Sequence, residues 1–172
     1  MKKDPWIIIV FILTFILSIV FSTISNLVVL SANNIILFLI LIITIAFGIT
    51  FDLIGTAAIT ANEATFHALN SKKIKGAKQG INIVKNNNKI SSICNDIVGD
   101  ICGIISGSIG AILAISLSLQ TGLNNTVVSI ILAAFISAFT VGGKALLKKV
   151  AINNADNIVL TISKALAIFE RK

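Results

Sequence analysis

Residues 6–30 read WIIIVFILTFILSIVFSTISNLVVL, a run without a charged side chain. A helix needs about 20 mostly apolar residues to cross the hydrocarbon core of a bilayer, and this run is long enough. The apolar core of a secretory signal peptide is shorter, about 7–15 residues, and no small-residue cleavage motif follows the run. The run therefore predicts a transmembrane helix that stays in the protein.

The composition of the whole chain agrees with a place in a membrane. Of its 172 residues, 56% are hydrophobic and only 12% are charged. A water-soluble domain carries about 25% charged residues, and disordered chains are poor in apolar residues, so both classes are excluded. We therefore expect an all-α membrane protein, with one membrane domain over residues 1–172.

The chain divides into four apolar segments and two amphipathic ones. The apolar segments predict four transmembrane helices, at residues 6–30, 35–61, 90–119 and 124–143. Residues 62–89 carry six lysines among apolar side chains at roughly helical spacing, which predicts a cytoplasmic amphipathic helical hairpin or a bent helix on the membrane surface. Residues 144–172 repeat the pattern and predict an interfacial helix instead of a fifth crossing.

The basic residues give the orientation. Lys and Arg number 14 against 7 Asp and Glu, for a formal net charge of +7. All 14 precede the first span, separate the second from the third, or follow the fourth, so they share one side of the membrane. The positive-inside rule then puts both termini in the cytoplasm and the protein in the cytoplasmic (plasma) membrane. We expect the positive charge to face anionic membrane lipid and not nucleic acid.

Three carboxylates within the apolar segments are the main functional candidates, since acids in a membrane are costly unless they are paired or hydrated. Counting about 20 residues per span places Asp52 and Asp100 at a similar depth near the cytoplasmic interface. Asp96 would lie one α-helical turn from Asp100 on the same face. Because hard divalent cations prefer oxygen ligands, these three acids predict a metal site for Mg²⁺ or a similar ion. Neutral oxygen donors would come from Thr56, Ser91, Ser92 and Asn95. Alternatively, Asp52 and Asp96 simply lie at the interface and pair with lysines of the hairpin.

Glycines in the third apolar segment point to close helix packing. Gly99, Gly103 and Gly107 form a ridge of small residues at four-residue spacing. Such ridges let membrane helices approach closely, and packing is a more common role for them than lining a pore. Four short helices do not easily enclose an ion path alone, so we expect a homodimer with this segment near its axis.

Signatures of enzymes are nearly absent, and we do not expect an enzyme. Cys94 and Cys102 lie eight residues apart, about 12 Å along a helix, which is too far for a disulfide. One remote exception is an intramembrane aspartyl protease, which pairs Tyr-Asp with Gly-x-Gly-Asp. Here Phe51-Asp52 lacks the tyrosine, and Ile97-Val98-Gly99-Asp100 lacks the first glycine.

The stretch from Gly55 to Gly107 resembles the transmembrane domain of the CorB/CorC and cyclin M (CNNM) family of magnesium transport proteins. Four short elements carry the resemblance in the family's order: Gly55-Thr56-Ala57-Ala58, Phe66-His67-Ala68-Leu69, Lys75-Gly76-Ala77-Lys78 and Ile97-Val98-Gly99-Asp100. The resemblance covers 110 residues, Ile35 to Lys144, and matches the family's helices to the second, third and fourth apolar segments. It implies a magnesium transport fold with one extra helix at the N-terminus.

The chain departs from the family pattern at the ligand positions. When the family pattern is aligned with this sequence, its glutamate aligns with Gly55 and the serine before that glutamate aligns with Asp52. The asparagine that follows a glycine in the family's next helix aligns with Asp100. No part of the 172 residues corresponds to the family's CBS pair or its C-terminal domain. If Asp52 and Asp100 replace the lost glutamate, the resemblance implies a divergent ion site; equally, the fold could persist without transport.

Two functional hypotheses follow. The first is transport or binding of a divalent cation such as Mg²⁺ through the intramembrane carboxylates. The second is a non-transporting membrane scaffold that holds a partner through the third apolar segment or the basic hairpin.

Overall fold

The computed structural model of the protein describes residues 5–30 and 33–169, and all regular secondary structure in these ranges is helical. The helices are α1 (Pro5–Leu30), α2 (Asn34–Thr60), α3 (Glu63–Ser71), α4 (Ala77–Lys85), α5 (Asn87–Ser91), a π-helical segment (Ser92–Gly99), α6 (Asp100–Thr121), α7 (Asn125–Asn153) and α8 (Ala155–Phe169). The expected all-α class is therefore confirmed. The terminal basic residues Lys2, Lys3, Arg171 and Lys172, and Ser31-Ala32 of the first expected turn, lie outside the described residues.

Three helical stretches are long and apolar enough to cross a membrane, namely Asn34–Thr60, Asn87–Thr121 and Asn125–Asn153. Within α1, the described apolar stretch Ile8–Thr23 is shorter. Large apolar side chains on these helices are exposed; for example, Phe11 is 73% exposed and Leu119 is 81% exposed. A water-soluble protein rarely exposes continuous apolar faces of this kind, whereas lipid tails cover them without cost. The helices therefore indicate an integral membrane protein.

The described chain forms two compact units, which differ in charge. The apolar unit combines the described part of Met1–Gly48 with Ile97–Gly143, and the basic unit combines Ile49–Asp96 with the described part of Lys144–Lys172. All ten lysines in the described ranges belong to the basic unit. Asp100 is the one charged side chain among the described residues of the apolar unit.

Helices α1 and α6, the first half of α2 and the first part of α7 build the apolar unit. α1 packs against α6, and the first half of α2 packs on α6 through Leu37, Leu41, Ile109 and Leu113. Polar side chains link the ends of the same helices, since Ser116 Oγ donates to Asn34 Oδ1 at 2.7 Å and Asn34 Nδ2 donates to Gln120 Oε1 at 3.2 Å. α6 ends at Gly122, whose φ of +71° is the left-handed conformation that commonly stops a helix.

The basic unit has its core around Phe66 of α3, which is fully buried. The core residues come from α2, α3, α4, α7, α8 and the link between α2 and α3: Ala57, Ala58, Ala61, Phe66, Ile83, Val84, Ala151, Ala155 and Val159. Asn62 caps α3 by accepting the Ala64 N–H at 3.0 Å, while its own N–H donates to Asp156 Oδ1 at 2.8 Å. Helices α3 and α4 thus form a helical hairpin, with α8 packed against α4.

Helix α7 is longer than the fourth apolar segment predicts. We expected that segment to end at the glycine pair Gly142-Gly143, but α7 continues through both to Asn153. Neither glycine is among the positive-φ glycines, so neither adopts the left-handed conformation that stops a helix. Glycine within a helix costs only about 1 kcal/mol relative to alanine, and the residues that follow, Lys144-Ala145-Leu146-Leu147, favour helix.

The helix that contains Asn95 and Asp96 also differs from a regular α-helix. Ser92–Gly99 is π-helical, with hydrogen bonds to the fifth residue instead of the fourth. We placed Asp96 and Asp100 on one face because α-helical residues four apart share a face. The α-helical spacing does not apply within Ser92–Gly99, so a shared face of Asp96 and Asp100 stays a prediction.

Candidate functional site

Among the described residues, Asn95 and Ser163 of the basic unit each have a buried side-chain oxygen without a hydrogen-bond partner, and Asn95 is the one that lies near a carboxylate-bearing face of α2. Its Nδ2 donates a hydrogen bond to Ser91 Oγ, one turn earlier, at 3.2 Å. Its Oδ1 is buried and has no hydrogen-bond partner among the residues that the structure describes. A buried polar atom without a partner costs about 1–3 kcal/mol, so its presence in a folded protein calls for an explanation.

Gly55 makes room for Asn95. A Cβ at position 55 would overlap the Oδ1 and Cγ atoms of Asn95, so the carboxamide lies directly against the backbone of α2. The oxygen of Asn95 therefore lies in the space where a side chain at position 55 would begin.

Asp52 lies one helical turn before Gly55, and Thr56 lies one turn after Asp52, so the three residues share a face of α2. The Asp52 side chain is 19% exposed, and its Oδ1 lies 3.4 Å from Nζ of Lys144. Lys144 belongs to α7 and its side chain is 30% exposed. We call Asp52, Thr56, Ser91, Asn95 and Lys144 the Asp52–Asn95 cluster.

The remaining predicted ligands make fewer contacts. Ser92 is half-buried, whereas Asp96 and Asp100 are exposed, and Asp100 belongs to the apolar unit. Within residues 5–30 and 33–169, no three His, Cys, Asp or Glu side chains come together in a way that could hold a metal ion. The structure thus places Asn95, with its partner Ser91, against Gly55, on the face of α2 that also carries Asp52 and Thr56.

Lys144 is the member of the cluster that sequence reasoning missed. We assigned it to the general positive charge of the cytoplasmic side, because it follows a glycine pair at the start of a lysine-rich segment. The sequence does contain a signal for this role of Lys144. If the helix continues past Gly143, Lys144 becomes part of the same helix as the fourth apolar segment and lies directly at its end. The propensity of Ala145-Leu146-Leu147 for helix could have shown that continuation.

A groove in the apolar unit is the other notable feature. It has a volume of about 390 Å³ and is lined by small residues of α6 and α7, among them Gly103, Gly107, Ala111, Ala133 and Ser137. No described atom lies within 4 Å of where a Cβ at Gly103 or Gly107 would be. The predicted ridge of glycines therefore presents an open face there, instead of a tight contact within the chain.

Three further titratable groups of the basic unit, on α3 and α4, interact at its surface. Glu63 Oε1 lies 3.1 Å from His67 Nε2 and 3.7 Å from Lys85 Nζ. His67 is exposed, as expected for a histidine on a surface helix. Cys94 and Cys102 are buried and are not joined in a disulfide, as their spacing predicts.

Comparison with protein-family models, curated proteins and solved structures found no match for this chain. The resemblance to the CorB/CorC and CNNM family stays a prediction from the short elements of sequence that carry it.

Proposed function

We propose that the protein binds a hard divalent cation such as Mg²⁺ at the Asp52–Asn95 cluster, as a step in its transport across the cytoplasmic membrane. In this proposal the chain crosses the membrane four times with both termini in the cytoplasm, and it works as a homodimer. The observation that carries the proposal is the buried Oδ1 of Asn95, an oxygen without a hydrogen-bond partner among the described residues, which lies against Gly55, one helical turn after Asp52 on α2.

The chemistry of the cluster suits Mg²⁺ better than Ca²⁺. Ca²⁺ takes six to eight protein or water oxygens and is commonly held by several carboxylates. Mg²⁺ keeps several of its water molecules and is usually bound through one or two carboxylates. Asp52 supplies one carboxylate, while Asn95, Ser91 and Thr56 supply neutral oxygens that can accept hydrogen bonds from the water molecules of a partly hydrated ion.

The resemblance to the magnesium transport family supports the same position. The family's glutamate falls on Gly55, and the oxygen of Asn95 lies against that residue. The oxygen of Asn95, which comes from the π-helical segment, would then take the role that the glutamate side chain has in the family. Asp96 and Asp100 stay predicted additional ligands, which the experiment below tests separately.

The experiment is a titration of thermal stability with Mg²⁺ on the purified protein in detergent, with NaCl adjusted to constant ionic strength. A cation that binds only the folded protein stabilises it by about 2.7 kcal/mol at 100 times its Kd. We expect stabilisation of the wild type, and its loss in Asp52→Asn and in Asn95→Leu. Asn95→Leu removes the buried unpartnered oxygen, so its stability without Mg²⁺ is expected to be close to that of the wild type.

Asp156→Asn is the matched control, because Asp156 is another half-buried carboxylate of the basic unit and asparagine can still accept the Asn62 N–H. It should keep the full response to Mg²⁺. Asp96→Asn and Asp100→Asn show whether these acids contribute to the affinity. The absence of any stabilisation up to tens of millimolar Mg²⁺, or a response that persists in Asp52→Asn, would contradict the proposal.

A second candidate function is a membrane scaffold without transport, and the open groove of the apolar unit favours it. Small residues such as those of the groove are typical of surfaces where another membrane helix packs. Gly107→Leu would fill the groove, so under this proposal it disrupts association of the protein with itself or with a partner. Gly142→Leu, at an open glycine that does not line the groove, is the control. Unchanged mass of the detergent-solubilised assembly in Gly107→Leu would count against the groove as an interface.

A further inference from the structure

Asp52 faces a cation that belongs to the protein itself. The ammonium group of Lys144 lies 3.4 Å from Asp52 Oδ1, and the two side chains are 30% and 19% exposed. A divalent cation bound to the Asp52 carboxylate would lie close to the Lys144 ammonium group. The two cations repel each other strongly at such a distance, because the surroundings are partly shielded from water. Both cannot pair with one carboxylate at full strength.

We propose that Lys144 is a tethered competitor of the divalent cation, which occupies Asp52 when the ion is absent and swings away when the ion binds. This inference rests on the proposed cation site and adds how that site is regulated. Pairing with Lys144 keeps Asp52 from being an isolated charge near the membrane, which would be costly. Displacement of Lys144 lowers the apparent affinity of the site for the ion, and a transport site must release its ion as well as bind it.

The structure gives Lys144 the means to move. Lysine carries its charge at the end of a flexible four-carbon stem, and nearly a third of this side chain is exposed. Its helix continues into the lysine-rich segment of the basic unit, where Lys148 and Lys149 are exposed. A released Lys144 ammonium can therefore reach water or lipid headgroups without a change in the backbone, in the way that lysines near membrane interfaces extend to the polar region.

Lys144→Gln removes the competitor and keeps a long polar side chain. We expect the Mg²⁺ concentration at half-maximal thermal stabilisation to fall about fivefold, the value that corresponds to the upper end of about 1 kcal/mol for partly exposed ion pairs. The stability without Mg²⁺ is expected to fall at the same time, because Asp52 loses its partner. A merely structural ion pair would lower the stability equally at all Mg²⁺ concentrations.

Two further variants make the test specific. Lys148→Gln removes the same charge one helical turn along α7, and Lys148 forms no ion pair in the structure as described. We expect its half-maximal concentration to stay within about twofold of wild type. Lys144→Arg keeps the charge and can pair with the carboxylate through two nitrogens, so it should raise the half-maximal concentration. It also gives a result if Lys144→Gln does not fold.

The outcomes separate this inference from the proposed cation site. If the wild type responds to Mg²⁺ through Asp52 but Lys144→Gln and Lys144→Arg respond at the same concentrations, the tethered competitor is refuted and the cation site stands. An equal shift in Lys148→Gln refutes it as well, because surface charge in general would be the cause. If neither the wild type nor Lys144→Gln responds to Mg²⁺, both proposals are refuted.

Discussion

Gly76→Ala is expected to destabilise the basic unit, because two separate features of the structure require glycine there. Gly76 precedes α4 with a φ of +88°. A Cβ at this position would lie 2.8 Å from the backbone nitrogen of Lys164 and 3.0 Å from its Cα. These atoms belong to the backbone of α8, so they cannot move aside as the end of a flexible side chain can.

The magnitude follows from adding the two effects. The left-handed conformation costs an alanine about 1–2 kcal/mol. Forcing a methyl group into well-packed surroundings typically costs a further 1–3 kcal/mol, so the free energy of unfolding should fall by about 2–5 kcal/mol. Gly122→Ala is the matched control, because Gly122 has a φ of +71° but no described atom within 4 Å of a Cβ. In Gly122→Ala, the free energy of unfolding should fall only by the cost of the left-handed conformation, about 1–2 kcal/mol.

The assay is equilibrium unfolding of the purified protein in detergent micelles by a denaturing detergent, followed by circular dichroism of the helices. The difference in the free energy of unfolding between Gly76→Ala and Gly122→Ala measures the cost of placing a methyl group where the start of α4 approaches α8. Equal destabilisation by Gly76→Ala and Gly122→Ala would mean that the backbone of α8 does not lie against the start of α4.

Three further predictions concern packing in the same protein. Phe66→Ala should lower the free energy of unfolding by about 3–5 kcal/mol in the same unfolding assay, because Phe66 is fully buried at the centre of the basic unit. Gly80→Ala should lower it by about 1–3 kcal/mol, because a Cβ there would overlap the Phe66 ring; a neutral result would place the ring elsewhere. Cys94 and Cys102 should react slowly with a water-soluble maleimide in the folded protein and rapidly after denaturation, without prior reduction, since both are buried and neither is in a disulfide; rapid reaction in the native state would contradict their burial.

The all-helical class and the apolar helices were predictable because they depend on local composition. Charge-free runs such as residues 6–30 leave few alternatives to helix in a membrane, where backbone groups must bond within their own segment. For residues 62–89 the helical spacing of apolar residues left a hairpin or a bent helix open, and the structure has two helices there, α3 and α4, with Gly76 directly before α4.

The details of the cluster were not predictable in the same way. A π-helical segment changes the register of Asn95 and Asp96 through backbone hydrogen bonds that no residue pattern announces. The contact between Gly55 and Asn95 joins positions 40 residues apart, and the pair of Asp52 with Lys144 joins positions 92 apart. Helix packing determines such pairs, and one sequence gives the candidates but not the partners.

Equilibrium binding of Mn²⁺, a paramagnetic substitute for Mg²⁺, can be followed by the loss of the free-ion signal in electron paramagnetic resonance. We expect that the wild-type protein in detergent binds Mn²⁺ in a saturable way, that Mg²⁺ displaces it, and that Asp52→Asn abolishes binding while Asp156→Asn does not. Identical titrations for the wild type and Asp52→Asn would show that Asp52 holds no divalent cation.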